Sequence, residues 1–272
     1  MTQSTLPLIL EPDELERQLG RHDLLIVDLS AQANHAMYHV PGAVHLEYRS
    51  IVTARPPAMG LLPDDRQLGE VLSSLGMTSD THLVAYDDEG NGKACRLLWT
   101  LDVIGHRSFS LLNGGLAAWM NEGHRTEEGF NQPRHCDFPI APHTDAVADR
   151  DYILAHINDP EVVILDTRSP VEFSGMDKRA SRGGHVPGAV NMDWILAIDR
   201  ERNLRLKSVN ELRELFEKLA VTSDKEVITH CQTHHRSSHT YIVLKALEYP
   251  KIKGYPGSWS EWGNDPELPI ET

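Results

Sequence analysis

Cysteine is scarce in this chain, with three residues among 272, at positions 95, 136 and 231. An odd and sparse set argues against a disulfide framework and fits a reducing compartment. Long apolar runs are missing as well, and none approaches the ~20 residues that a membrane-spanning helix needs. The amino-terminal stretch Met1-Thr2-Gln3-Ser4-Thr5-Leu6-Pro7 has no basic segment, and Pro7 interrupts its short apolar part. No secretory leader is read there, and a cytoplasmic location is expected. Positive charge is in deficit: 26 Lys and Arg face 40 Asp and Glu, a net charge of −14. That balance argues against bulk binding of nucleic acid or of anionic membranes. It also requires any anion site to be locally positive against an acidic background.

Repetition is the first thing present. Leu24-Leu25-Ile26-Val27-Asp28 resembles Val162-Val163-Ile164-Leu165-Asp166, each a buried-strand pattern ending in Asp. His39-Val40-Pro41-Gly42-Ala43-Val44 recurs unchanged at 185–190, Thr78-Ser79-Asp80 recurs at 222–224, and Gly114 to Trp119 aligns with Gly257 to Trp262. An identity of this length in matching context marks a duplication. Within each half, short β-branched runs alternate with helical patterns. Pro63-Asp64-Asp65 opens a run with apolar spacing at Leu68, Val71, Leu72 and Leu75, and Gly76 stops it. Ser208 caps a run from Val209 to Leu219 that places Leu212, Leu215, Phe216 and Leu219 on one face. Such alternation predicts a parallel sheet covered by helices on both faces. The stretch from Gly123 to Asp149 is poor in apolar residues and carries Pro133, Pro139 and Pro142, so it reads as a linker along the surface. The expected organisation is an α/β tandem: residues 1–125, a linker over 126–148, and residues 149–272.

The stretch that carries chemistry is Thr229-His230-Cys231-Gln232-Thr233-His234-His235-Arg236-Ser237-Ser238. The strand-like Val227-Ile228 leads into it, and the amphipathic run Tyr241 to Leu247 leads out. Cys231 therefore sits where a parallel strand ends and a helix begins, the place where open α/β sheets bind ligands. Converging loop amides and the positive end of the following helix favour a thiolate, the reactive form of cysteine. Cys231 is read as a nucleophile. Gln232, Thr233, His234, His235 and Arg236 are read as the residues that hold an anionic substrate, the first two mainly through backbone N–H groups.

The repeat supplies an internal control. Cys231 aligns with Asp87, which continues as Asp88-Glu89-Gly90-Asn91-Gly92-Lys93. Carboxylates there repel anions and form no thiol adduct, so the first half is expected to be non-catalytic and to shape one wall of the site. His39 and His185 persist in both copies and are read as structural. Asp28 and Asp166 are read as fixing loop geometry, and Cys95 as inert within a helix. Trp194, Trp259 and Trp262 are read either as lining the mouth of the site or as core packing, the default for tryptophan. The dense set His230, Cys231, His234, His235 and His239 raises the question of zinc. His230 belongs to the strand, however, and adjacent His234 and His235 do not aim at one ion. No metal and no cofactor is expected.

With these residues in view, the chain resembles the two-domain rhodaneses, thiosulfate:cyanide sulfurtransferases. The likeness rests on Asp166-Thr167-Arg168, the turn Gly184-His185-Val186-Pro187-Gly188-Ala189, the six-residue loop from Cys231 to Arg236, and Gly257-Ser258-Trp259-Ser260-Glu261-Trp262. The loop Cys-Gln-Thr-His-His-Arg is similar to the bacterial, Azotobacter-type branch. The resemblance implies two α/β domains, each a five-stranded parallel sheet flanked by helices. It implies one catalytic cysteine, in the second domain, that cycles through a persulfide. It further implies thiosulfate as donor and cyanide or another thiophilic acceptor, such as a thiol, in a double displacement. Two departures stand out. Glu172 and Thr233 occupy positions where animal members carry an Arg and a Lys that hold the sulfonate, and the Cys-Gly-x-Gly-Val-Thr loop of mercaptopyruvate enzymes is absent. Two rival functions share the site. One is a sulfur-carrier module that hands a persulfide to protein acceptors. The other is a cysteine phosphatase or arsenate reductase, though the protein-phosphatase loop, Cys-x5-Arg, is one residue longer than the loop here. A monomer is expected, with no nucleic-acid or membrane partner.

Overall fold

A computed structural model of the chain describes residues 6–141 and 145–272. Met1 to Thr5 of the amino-terminal stretch and Pro142 of the proposed linker lie outside them. The first half runs β1 (Ile9–Leu10), α1 (Pro12–Glu16), β2 (Leu24–Asp28), α2 (Gln32–Met37), β3 (Val44–His45), β4 (Thr53–Arg55), β5 (Ala58–Leu61), α3 (Asp65–Ser74), β6 (His82–Tyr86), α4 (Gly92–Val103), β7 (Phe109–Leu112) and α5 (Gly115–Asn121). The second runs α6 (Arg150–His156), β8 (Val162–Asp166), α7 (Pro170–Phe173), β9 (Val190–Asn191), β10 (Ile198–Asp199), β11 (Arg205–Leu206), α8 (Val209–Glu217), β12 (Glu226–His230), α9 (Arg236–Ala246), β13 (Ile252–Gly254) and α10 (Ser258–Trp262).

The helix signals act locally. Asp64 accepts a hydrogen bond from Gln67 N at 2.8 Å to open α3, and Gly76 leaves that helix at φ 78°. Ser208 and Glu211 form a reciprocal capping box at α8, whose Leu212 and Phe216 are buried. The central helices differ. In α4 and α9 nearly every side chain is buried, polar ones included, so these two helices carry no solvent face.

Two compact units emerge, and they interleave along the chain. One comprises Met1–Ile51, Pro63–His143 and Asp199–Leu206; the other comprises Val52–Leu62, Thr144–Ile198 and Lys207–Thr272. The β4–β5 hairpin thus belongs with the second unit although it precedes α3, and the Asp199–Leu206 strap belongs with the first. The connector beyond α5 also hydrogen-bonds to the first unit, through Glu127 with His39 and Cys136 with Ser73.

The first unit holds a five-stranded sheet of order β1-β7-β6-β2-β3, with every pairing parallel. The second holds four strands, β13-β12-β8-β9, again parallel. Five strands were expected there too. The fifth place is taken by a single parallel bridge, Val147 with Gly254, held by Ala148 N to Gly254 O and Gly254 N to Ala146 O, both at 2.9 Å. The reason is local: Asp149 caps α6 through Tyr152 N directly after the bridge, so the chain leaves the ladder after one pairing. Each unit has its own core, around Tyr86, Leu112 and Trp119 in the first and around Ile228, Trp259 and Trp262 in the second.

Candidate active site

The β-branched run of β12 pairs with β8 in register, so His230 stands opposite Asp166 at the carboxyl ends of both strands. Asp166 anchors that end. Arg168 donates to both of its oxygens, donates to Gly184 O at 2.8 Å, and lays its guanidinium over Trp259 at 4.5 Å. One buried cation thereby ties together the strand end, the Gly184–Ala189 turn and α10.

Cys231 is the first residue beyond β12 and is 1 % exposed. Its carbonyl accepts from Trp259 N at 2.9 Å, its own N–H donates to Ser258 Oγ at 3.3 Å, and Gln232 O accepts from Ser260 N at 3.0 Å. The short helix α10 therefore splints the start of the loop. Gln232 Nε2 donates to Arg179 O at 3.1 Å. His234 takes a left-handed φ of 55° and is fully buried, with Nδ1 2.7 Å from Ser237 Oγ. That backbone reversal turns the loop into a cup. Gln232, Thr233, His235 and Arg236 stay half-buried around the rim.

Burial alone pushes the Cys231 thiol up. The Arg236 guanidinium, the Ser237 hydroxyl and the amides of Ser237 and Thr233 outweigh it, so the thiol lies below its ordinary value. Arg236 is itself committed: Nη1 and Nη2 donate to Glu172 Oε2 and Oε1 at 2.7 and 2.8 Å. Burial would raise Glu172, but the bonds from Arg236 and Ser169 draw it down to about 2. Burial lowers the basicity of His230, an effect that Asp166 partly offsets, and draws His239 down to about 3. Both imidazoles are neutral near pH 7 and bring no cation to the site. Trp194 stands half-buried with its ring 5.2 Å from that of His239, whereas Trp259 and Trp262 are fully in the core.

A further wall comes from β5, which packs against α10. Met59 N donates to Ser260 Oγ at 3.0 Å, and a Cβ placed on Gly60 would lie 2.1 Å from Thr233 O. The hairpin backbone thus rests directly on the loop.

The first unit shows what the same loop does without a cysteine. Asp87, 1 % exposed, accepts from Glu89 N and Asn91 N through Oδ1 at 2.9 and 2.7 Å, and from Lys93 N and Ala94 N through Oδ2 at 2.8 and 3.0 Å. Its carboxylate fills the cup with its own side chain. Sequence reading aligned Asp87 with Cys231 but did not single out Glu172 as a partner of Arg236, nor Ser237, Ser258 or Gly60 as parts of the site. Ser237 and Ser258 lie inside motifs already quoted. Glu172 stood out in the sequence as a departure from the family pattern, but its pairing with Arg236 comes only from the fold. Gly60 reaches the loop through the fold alone, and no local signal marks it.

A family model described as the rhodanese-like domain matches residues 11–122 and again 149–265. A thiosulfate sulfurtransferase of Pseudomonas aeruginosa is 43 % identical over 268 residues, spanning 98 % of each chain. One of Azotobacter vinelandii is 42 % identical over the same length, again spanning 98 % of each chain. Among solved structures, the 3-mercaptopyruvate sulfotransferase SseA of Escherichia coli superposes with a TM-score of 0.83 at 26 % identity, covering 93 % of this chain and 99 % of its own. A strand-to-helix loop that carries a buried cysteine in one copy and a self-filling aspartate in the other, together with two family matches covering most of the sequence, establishes that the chain belongs to the rhodanese-like domain family and carries that domain twice.

Proposed function

We propose that the chain is a thiosulfate sulfurtransferase that works through a persulfide on Cys231. The Cys231 thiolate attacks the outer sulfur of thiosulfate. The S–S bond of the donor breaks, its electron pair leaves with sulfite, and Cys231 retains the sulfur as a persulfide. Cyanide or a cellular thiol then attacks that terminal sulfur, which leaves as thiocyanate or a new persulfide while the Cys231 thiolate is restored. Gln232 and Thr233 line the cup through their backbone, His234 shapes it from below, and His235 and Arg236 form its rim. The amide cup stabilises the negative sulfur in both states, as an oxyanion hole does for oxygen. A cytoplasmic location accords with three free cysteines.

The observation that carries this reading is a cysteine, 1 % exposed, set between the end of β12 and the start of α9, where Arg236 and the loop donors favour its thiolate. Phosphatase chemistry is disfavoured because the arginine that would bracket a phosphate is tied bidentately to Glu172. Intact mass after thiosulfate treatment tests the proposal. A gain of one sulfur, about 32 Da, is expected for the wild type and for Cys95→Ala and Cys136→Ala, and none for Cys231→Ala. Thiocyanate formation by Cys231→Ala at near the wild-type rate would remove Cys231 from the mechanism.

A further inference from the structure

The first unit carries a second group of side chains with chemical potential, remote from Cys231 in sequence and formed without the loop histidines. Helix α1 opens with Pro12 behind a capping box at Glu11, which places Asp13 and Glu16 three residues apart on one face. Helix α5 ends at Asn121. Gly123 then takes φ 81°, and His124 N donates to Trp119 O at 3.2 Å. That turn folds the His124 ring back over Trp119, with centroids 4.7 Å apart. The imidazole is held in place and its side chain is 6 % exposed.

Three carboxylates surround it. His124 Nδ1 lies 3.2 Å from Glu16 Oε2, while Nε2 lies 3.5 Å from Asp13 Oδ1 and 4.0 Å from Glu122 Oε2. Glu122 is held by Arg205, whose Nη1 pairs with Oε1 and whose Nη2 donates to Oε2 at 2.8 Å, and by Asn203 Nδ2, which donates to Oε1 at 3.0 Å. Nε2 is buried and makes no hydrogen bond among the described residues. One ligand atom from each of Asp13, Glu16 and His124 lies within 4.8 Å of the others.

We propose that His124, Asp13 and Glu122, with Glu16 behind the imidazole, form a binding site for a divalent transition-metal ion. The Glu16 carboxylate favours the proton on Nδ1, which leaves the lone pair on Nε2, the atom that faces the other two carboxylates. The separations of 3.5 and 4.0 Å are long for hydrogen bonds. They approach the edge of about 3.4 Å between ligand atoms of a tetrahedron with bonds of about 2.1 Å. Three carboxylates against one guanidinium leave an excess of negative charge that a dication offsets. A mixed imidazole and carboxylate set suits zinc, cobalt or nickel, whereas calcium and magnesium favour oxygen alone.

Cobalt(II) titration of the metal-free full-length protein tests this. Visible d–d bands that saturate at one ion per chain are expected. Asp13→Asn and Glu16→Gln should weaken binding tenfold or more, and His124→Ala should abolish it. Sulfur transfer should be unchanged in all three variants and in the metal-free protein. Asp13 and Glu16 are exposed, so their variants decide the matter even where His124→Ala loses stability with its Trp119 contact. The absence of d–d absorbance at millimolar cobalt would overturn the site. So would sulfur-to-metal charge-transfer bands, or binding that survives the three substitutions, because either places the ion elsewhere.

Discussion

Arg236 and Glu172 set the charge that Cys231 meets. The guanidinium lowers the thiol, and the carboxylate holds the guanidinium by two bonds. The thiolate is the reactive form, so persulfide formation should rise with pH through the Cys231 inflection and then level off. In the wild type that inflection is expected below the usual value of about 8.5. In Arg236→Ala burial remains while its main counterweight is gone, so the inflection should move to higher pH. Each unit of displacement costs about tenfold in rate below it. Because Arg236 acts on the thiolate and on the loop, both half-reactions are expected to slow, as single-turnover measurement of persulfide formation and discharge would show. An unmoved pH profile would separate Arg236 from the thiol. Glu172→Gln reads the other side of the pair. It removes a negative charge beside the mouth while keeping the shape, so the KM for the thiosulfate dianion is expected to fall severalfold, with the cyanide step little changed. A rise in KM would instead show that Arg236 depends on the carboxylate for its placement.

Among the elements, the loop was legible in the sequence because its determinants are contiguous: β-branched Val227-Ile228, then Cys231, then a helix opening at Arg236. The caps at Asp64 and Ser208 were legible for the same reason. The splint from α10 was visible as a motif but not as a contact. The β4–β5 hairpin was not legible as part of this site. Only tertiary packing brings Gly60 to Thr233, across more sequence than any periodicity spans. The fifth strand that the resemblance implied for the second sheet is reduced here to the single bridge at Val147, because the cap of α6 follows at once. Gly60 offers a test at this scale. A Cβ there meets Thr233 O at 2.1 Å and Pro256 O at 2.8 Å, both backbone atoms that cannot swing aside. Gly60→Ala should therefore displace the loop, costing about 1–3 kcal/mol of stability and about tenfold or more in turnover. Gly69→Ala, whose Cβ meets nothing nearer than 3.6 Å inside α3, is the control: turnover should be unchanged and stability raised by about 0.5–1 kcal/mol, since alanine is favoured over glycine within a helix. Thermal unfolding and thiocyanate formation, measured on both variants, decide whether the hairpin supports the loop.

For the whole molecule, the duplication is plain in sequence, yet the compact units are not the two sequence halves. The family model matches two continuous stretches, 11–122 and 149–265, whereas Val52–Leu62 clusters with the second unit and Asp199–Leu206 with the first. Each exchanged segment is held by specific bonds. In the strap, Leu206 N donates to Asn113 Oδ1 at 2.9 Å, and Arg205 Nε donates to Glu11 Oε2 at 2.8 Å while its other nitrogens pair with Glu122. Cutting the chain in the connector at 148 should therefore not yield an independent catalytic domain. Residues 149–272 alone would leave the Cys231 loop without the β5 backbone that rests on it. They would also expose a strap whose Arg205 has lost both carboxylates. We expect that fragment to unfold at a lower temperature than the intact protein and to form persulfide at least about tenfold more slowly, the equivalent of 1.4 kcal/mol in the barrier. Supplying residues 1–148 in trans should restore part of the rate, since that fragment carries the hairpin. A 149–272 fragment that forms persulfide at the full rate by itself would show that the borrowed hairpin is dispensable, and that the unit carrying Cys231 is complete within the second half of the chain.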